Sequence, residues 1–408
     1  MSDQIEQQLK TVFDAVLTQN FGNCIPPEPF VTSTSIPHLD ALLGGGIGSS
    51  APIMISSSPE TGKSSVCMYL AGQFIKQHPN SIAVYIDTEA TSSGTSDAQS
   101  SISKRIKSLG IPEHRFQYNS LMLDIPGIYE LIKKYADTKK DLDAKIKASG
   151  KEEEIKLLII IDSLAGCPCS KALVAEDPKE VIGLRARELS HNIDRIRPIL
   201  AFSKISLILI DQVRANMQIQ GQFAPAQEKT VGTWNNIKTS TSSNTLQHAL
   251  KTWVYLSKKK ELNPGDMGNV IGWILDVKTE KNKLTNSGYS VSLVFDKNLT
   301  LHKLWSEYLF LKEMTTSEKK YSGGDAKKLP YPLLVGTSGP YRYIDIVDPI
   351  TKKSVGKSDS FFEKDLEKKY NSDEKFREVF DNAVKVSVYE RINNYLLKMT
   401  VEEDDLSE

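Results

Sequence analysis

The chain has 408 residues, 39% hydrophobic and 25% charged, the balance of a soluble globular protein with room for one large core and a smaller second domain. Its 51 basic and 51 acidic side chains cancel, so bulk charge announces no nucleic-acid partner. No apolar run approaches the roughly 18 residues of a membrane helix, the first residues resemble no secretory signal, and Cys24, Cys67, Cys167 and Cys169 show no framework spacing; a reducing, cytoplasmic compartment is expected.

Residues 4–18 place Ile5, Leu9, Val12, Phe13, Val16 and Leu17 at helical spacing, an amphipathic helix that must pack on its own core or on a neighbouring subunit. From about residue 31, short apolar runs alternate with helical patterns. The runs 52–56, 82–87, 157–162 and 205–210 read as buried parallel strands, and 63–77, 124–136 and 180–202 as helices, with Pro198 expected to kink or end the third. This alternation predicts an α/β domain with a mainly parallel central sheet. Residues 137–156 read as an exposed, partly helical insertion, and 270–311 as antiparallel strands ending in TLHKLW. A linker at 313–330 then leads to a small C-terminal α/β domain at 331–398, with Phe361, Phe362, Tyr370 and Phe376 in its core. The last eight residues, VEEDDLSE, carry five acids and no base and belong to an acidic tail at 399–408.

The stretch IMISSSPETGKSS follows a strand and opens a helix, the context in which backbone N–H groups cradle phosphate. Its cradle is Ser57, Ser58, Pro59, Glu60, Thr61, Gly62, Lys63, Ser64 and Ser65. Lys63 supplies a mobile charge to the terminal phosphates of a nucleotide, and the Ser64 hydroxyl is placed to ligate Mg²⁺. Ser57 stands where such a loop starts with glycine, a substitution that strains the chain only if φ must be positive. Asp162 ends the most apolar strand and suits an acid holding the water shell of Mg²⁺. Glu89, at another strand tip, suits a carboxylate that polarises an attacking water. Gln212 ends a fourth strand, where an amide can sense the terminal phosphate.

The order of these motifs resembles the RecA-type recombinases, most closely their phage (UvsX-like) members: FVTSTSIPHLDALLGGGI before the loop, then YIDTE, LLIIIDSLAG, LILIDQVR and VKTEKNKL, over about residues 30–312. The resemblance implies a RecA-like P-loop ATPase core with ATP and Mg²⁺ held between protomers of a helical filament. Glu89 would be the catalytic carboxylate, Asp162 the metal-associated acid and Gln212 the link between nucleotide and DNA. Lys281 and Lys283 would reach the neighbouring protomer's ATP, and residues 1–30 would pack on an adjacent subunit. The chain departs from the family at Ser57, and after Glu89 it lacks the aromatic residue that stacks on adenine. Phe295, from a neighbouring subunit, is one candidate for that role.

Two segments following strands, 166–183 and 213–245, correspond in position to the family's DNA-binding loops. The second interleaves Arg214, Lys229 and Lys238 with Phe223 and Trp234 among small polar residues, types that suit phosphates and exposed base faces of a single strand. The implied activity is ATP-dependent homologous pairing and strand exchange on single-stranded and duplex DNA, in a bacterial or phage-infected cytoplasm, with single-strand-binding and loader proteins as partners. Two alternatives stay open: a ring helicase on the same core, and a non-hydrolysing mediator that binds DNA.

Overall fold

The computed structural model describes residues 24–89, 106–170, 184–212, 249–263, 266–267, 270–283, 289–296, 300–321, 333–347, 351 and 353–388. Fourteen strands are described, numbered here in chain order. A short antiparallel pair, β1 (Val31–Thr32) and β2 (Ile47–Gly48), brackets helix α1 (Pro37–Leu43). Then follow β3 (Ile53–Ser57), α2 (Lys63–Gln77), β4 (Ser81–Asp87), β5 (Phe116–Ser120), α3 (Ile125–Ala148), β6 (Lys156–Asp162), α4 (Leu184–Ser203), β7 (Ile205–Gln212), β8 (Thr252–Leu262), β9 (Gly272–Asn282), β10 (Ser290–Asp296) and α5 (Lys303–Tyr321).

The molecule is α/β, built on one eight-stranded sheet in the order β10-β9-β8-β3-β7-β6-β4-β5. The six strands from β8 to β5 run parallel, and β9 and β10 extend the sheet antiparallel. Strands buried on both faces need no polar alternation, which is why β6 reads Leu-Leu-Ile-Ile-Ile. Leu158 and Ile160 face one apolar cluster with α2, where Cys67, Leu70 and Phe74 pack; Leu157, Ile159 and Ile161 face the other, with Ile128 and Ile132 of α3 and Ile193, Ile196 and Leu200 of α4. Each such side chain withdrawn from water stabilises the fold by roughly 1.5–3 kcal/mol.

Several elements differ from the sequence expectation. Helix α3 runs on through most of the stretch read as an insertion; its N-terminus is fixed by Asp124, whose carboxylate accepts the Gly127 N–H at 2.8 Å. Pro198 lies inside α4 and does not end it. The proline sits on the exposed side of the helix, while Ile193, Ile196 and Leu200 hold the opposite side to the sheet. TLHKLW is not a strand: Leu301 makes a single bridge to Phe295, and α5 begins at Lys303, burying Trp305 and Tyr308. That helix continues to Tyr321, into the stretch read as a linker. Strands β5 and β8 carry no run that the periodicity flagged.

Beyond α5, a four-stranded antiparallel sheet contains β11 (Leu333–Ser338), β12 (Tyr341–Val347), β13 (Ser354–Lys357) and β14 (Phe361–Phe362). With α6 (Leu366–Ser372) and a helix over 374–388, it closes a third apolar cluster around Trp305, Tyr308, Ile344, Phe361, Phe376 and Phe380. Phe361 and Phe376 are core as expected. Tyr370 packs at the edge of the cluster, and Phe362 faces outward at 37% exposure. Among the described residues no helix is long and apolar enough to cross a membrane.

Candidate nucleotide-binding site

Parallel strands deliver their C-terminal tips to one edge, and the first loop residue and the acids meet there. Register aligns Ser57 of β3 with Gln212 of β7, and Asp87 of β4 with Asp162 of β6. The loop 58–62 turns from β3 into α2, with Glu60 (φ 57°) and Gly62 (φ 103°) in left-handed backbone. Ser57 is the last extended residue of β3 and does not share that conformation. The serine found at the place of the first glycine therefore needs no positive φ.

Lys63 is only 7% exposed. Its ammonium donates to Ser57 Oγ (3.0 Å), Ser58 O (3.0 Å) and Ser57 O (3.4 Å). The Ser57 hydroxyl itself donates to Ser58 O at 2.7 Å, which turns a lone pair toward Lys63. Burial pushes the Lys63 ammonium below the usual lysine range, and the charges of Asp162, Glu89 and Asp211 pull it back up. Thr61 Oγ1 donates to Ser58 O at 2.8 Å and pins the loop from within.

Asp162 Oδ2 accepts two hydroxyls, Ser64 Oγ at 2.7 Å and the Tyr85 phenol. Burial pushes the Asp162 carboxyl above its usual range; the two hydroxyls pull it down, and Glu89 and Asp87 push it further up. Tyr85 stacks on Tyr118 with ring centroids 5.6 Å apart, and the Tyr118 phenol donates to Asp87 Oδ2 at 2.8 Å. Two adjacent tyrosines thus hold two adjacent strand-tip acids.

Glu89 lies just beyond β4, anchored by its N–H to Asp87 Oδ1 at 3.1 Å. Its Oε1 accepts Gln212 Nε2 at 2.7 Å and the Ser163 hydroxyl. Ser163 follows Asp162 through a cis peptide bond, and its carbonyl accepts the Thr88 hydroxyl at 2.6 Å. The glutamate crosses the Leu164–Gly166 turn so closely that a β-carbon on Gly166 would stand 2.8 Å from Glu89 Cγ. Only glycine leaves that path clear.

The donor set fits Mg²⁺, which prefers one or two protein oxygens completed by water and phosphate to an all-protein cage. Ser64 and Asp162 supply a hydroxyl and a carboxylate side by side. The carboxylates of Asp162, Glu89 and Asp211 all act on a single buried ammonium, an excess of negative charge that a divalent cation offsets. Among the described residues no group of three or more His, Cys, Asp or Glu side chains is arranged as a cage.

The structure therefore brings together Ser57, Ser58, Lys63, Ser64, Asp162, Glu89 and Gln212, with Pro59, Glu60, Thr61, Gly62 and Ser65 completing the loop and first helical turn. Lys281 and Lys283 lie elsewhere. Lys281 pairs with Trp253, which pairs with Met54 at the start of β3, and the Lys283 N–H reaches Lys251 O at 3.0 Å. Three residues along the strand and two strands across put Lys281 roughly 14 Å from its own Ser57. Burial and the neighbouring Lys283 hold the Lys281 ammonium below the usual lysine range. Phe295 is 1% exposed and stacked on Trp273, so it is core and offers no face to a neighbouring subunit. Arg214, Phe223, Lys229, Trp234 and Lys238, and the helix at 4–18, lie outside the described residues.

The motif reading missed Tyr85, Tyr118, Ser163 and Gly166. One signal was available for Tyr85: a phenol inside an apolar strand needs a partner, and its side chain shares a strand face with the tip. No known family model matches the chain, and no curated protein matches it.

Proposed function

We propose that this chain is a DNA-dependent ATPase with a RecA-like core, which assembles as a filament on single-stranded DNA and catalyses homologous pairing and strand exchange. One observation carries the reading: Lys63, Ser64, Asp162, Glu89 and Gln212, dispersed over 150 residues of sequence, converge at the tips of β3, β4, β6 and β7. A phosphate loop alone would fit any nucleotide binder. A carboxylate beside it that accepts from an amide on the tip of β7 suits hydrolysis coupled to a second ligand.

In this reading Lys63 binds the terminal phosphates, and the N–H groups of the loop and first turn of α2 orient them. Mg²⁺, when bound at Ser64 and Asp162, supplies charge neutralisation on the phosphate oxygens. Glu89 takes a proton from the attacking water at its carboxylate, and Gln212 links that carboxylate to the segment that follows β7, where DNA is read. The position of Lys281 and Lys283 on the opposite strand ends supports their service to a second copy, since one chain cannot deliver them to its own loop. Charge supplied across a protomer boundary neutralises phosphoryl transfer as an arginine finger does.

The test is ATP hydrolysis by the full chain with and without single-stranded DNA, for the parent and Lys63→Ala, together with electron microscopy of the nucleoprotein. Stimulated hydrolysis lost in Lys63→Ala, and helical filaments, are the expected results. Hydrolysis absent in the parent, with DNA binding indifferent to nucleotide, overturns the reading; closed hexamers replace it with a ring helicase.

A further inference from the structure

The outward face of the C-terminal sheet has the wrong composition for a surface that only meets water. Along β12, Ile344 and Ile346 point inward at 1% and 2% exposure, so Tyr341 and Tyr343 point outward. On β14, Phe361 is buried and Phe362 faces out beside Tyr341, with ring centroids 4.3 Å apart and tilted by 36°. Tyr341 is 41% exposed, Phe362 37% and Val355 of β13 63%. An antiparallel sheet with one solvated face normally turns polar side chains outward. Three aromatic rings and a valine on that face call for a ligand.

The rings come with cations. Lys357 Nζ stands 4.6 Å from the Tyr343 ring centroid and Lys364 Nζ 5.6 Å from that of Phe362. Neither ammonium has an acid partner among the described residues, whereas nearby Glu363 is already engaged by Lys312 at 2.9 Å and Arg342 at 3.5 Å. Asp345, the acid on the outward side of β12, accepts the Ser354 hydroxyl at 2.6 Å and sits across from Lys357. Tyr343 lies over β11: a β-carbon at Gly336 would come within 2.0 Å of its Cζ, so glycine there lets the ring rest on the sheet. Two ring positions, Tyr341 with Phe362 and then Tyr343, follow one another about 7 Å apart along β12.

We propose that this face is a stacking platform for single-stranded nucleic acid, separate from the nucleotide site. Unpaired bases lay their faces on Tyr341, Phe362 and Tyr343 as Lys357 and Lys364 swing off the rings they cover to take the flanking phosphates. A duplex hides its base faces and gains only the two lysines. Because every base has a π-face, the platform reads no sequence. A protein partner would seek a continuous apolar patch, and here ammonium groups lie over two of the three rings. The inference extends the proposed DNA-binding activity to a surface that activity does not require.

Photocrosslinking tests it on the full chain, with a single-stranded oligonucleotide carrying 5-bromodeoxyuridine and peptide mapping of the adducts. Adducts are expected at Tyr341, Tyr343 or Phe362. Their yield should fall about tenfold in Tyr341→Ala/Phe362→Ala and in Lys357→Glu, with thermal midpoints near that of the parent, and should persist without nucleotide and in Lys63→Ala. Adducts confined to residues outside this sheet, equal labelling by a duplex, or no adduct at all overturns the proposal. Loss of ATP hydrolysis alone would count against the nucleotide reading and leave these adducts in place.

Discussion

Gln212 Nε2 donates to Glu89 Oε1 across 2.7 Å, joining the tip of β7 to the carboxylate beyond β4. The amide belongs to the strand from which residues 213–248 depart, and the acid belongs to the pocket of Lys63. A ligand that pulls on the end of β7 therefore changes the orientation of Glu89. Gln212→Ala should bring DNA-stimulated hydrolysis down toward the unstimulated rate and leave ATP affinity within about twofold. Glu89→Gln, which keeps the hydrogen bond but removes the proposed base, should lower turnover by about 10²–10⁴-fold. Steady-state hydrolysis with and without oligonucleotide checks both; full stimulation in Gln212→Ala would break the proposed link.

Ser57 saturates Lys63. An ammonium has three N–H donors, and three oxygens of residues 57 and 58 lie within 3.4 Å of it. A phosphate arriving at Lys63 must displace one of them, and the hydroxyl is the ligand that glycine would lack. Ser57→Gly and Ser57→Ala should both tighten ATP binding by about three- to tenfold, the scale of one ordinary hydrogen bond after solvent exchange, with little change in kcat. Calorimetric titration of the three proteins decides it. Weaker binding in Ser57→Ala would mean that the hydroxyl orients Lys63 for phosphate instead of competing with it.

The edge at which these groups meet was legible because it is written in local patterns. Apolar runs ending in Asp162 and Gln212 marked parallel strands and their tips together. What the patterns did not carry is instructive. Strand β8 lies against β3 in the middle of the sheet, yet its sequence, TWVYLSKKKEL, carries three consecutive lysines in its second half and shows no long apolar run. Its first half is buried between neighbours, residues 258–261 leave the core, and Leu262 returns to it. Leu301–Trp305 looked extended because its apolar residues are few, and the helix that follows declares itself only through Trp305, Tyr308 and Leu309. Tyr85 and Tyr118 gain their roles from strand register, which places β4 between β5 and β6. No spacing within one segment shows that.

Tyr85 and Ser64 both donate to Asp162 Oδ2, so the carboxylate is held in one orientation from behind as well as from the loop. Tyr85→Phe keeps the ring stacked on Tyr118 and removes only that donor. The Mg²⁺ concentration for half-maximal hydrolysis should rise several-fold, on the order of one lost charge-assisted hydrogen bond, while metal-free nucleotide binding stays unchanged. Tyr118→Phe, which releases Asp87, should have the smaller effect. Identical Mg²⁺ dependence in the parent and Tyr85→Phe would show that the phenol only fills space.

Glu307, on α5, makes stability depend on pH. Burial raises its carboxyl from 4.5 to about 7; Lys303, with its ammonium at 3.7 Å, opposes the shift and Asp381 adds to it. Tyr69 and Tyr370, which also feel this charge, are both pushed above the usual tyrosine range and do not titrate in the same window. Between about pH 4.5 and 7 the native state thus holds a proton that the unfolded chain has released. The folded pKa is the higher one, so stability falls as pH rises through this window and stays lower above it. Glu307→Gln lacks that slope. Urea midpoints at pH 5.5 and pH 8 should show the parent losing about 2 kcal/mol more than the variant over this interval. A difference between the two proteins that does not change with pH would place the Glu307 carboxylate in a wetter and better-paired setting than its 4% exposure implies.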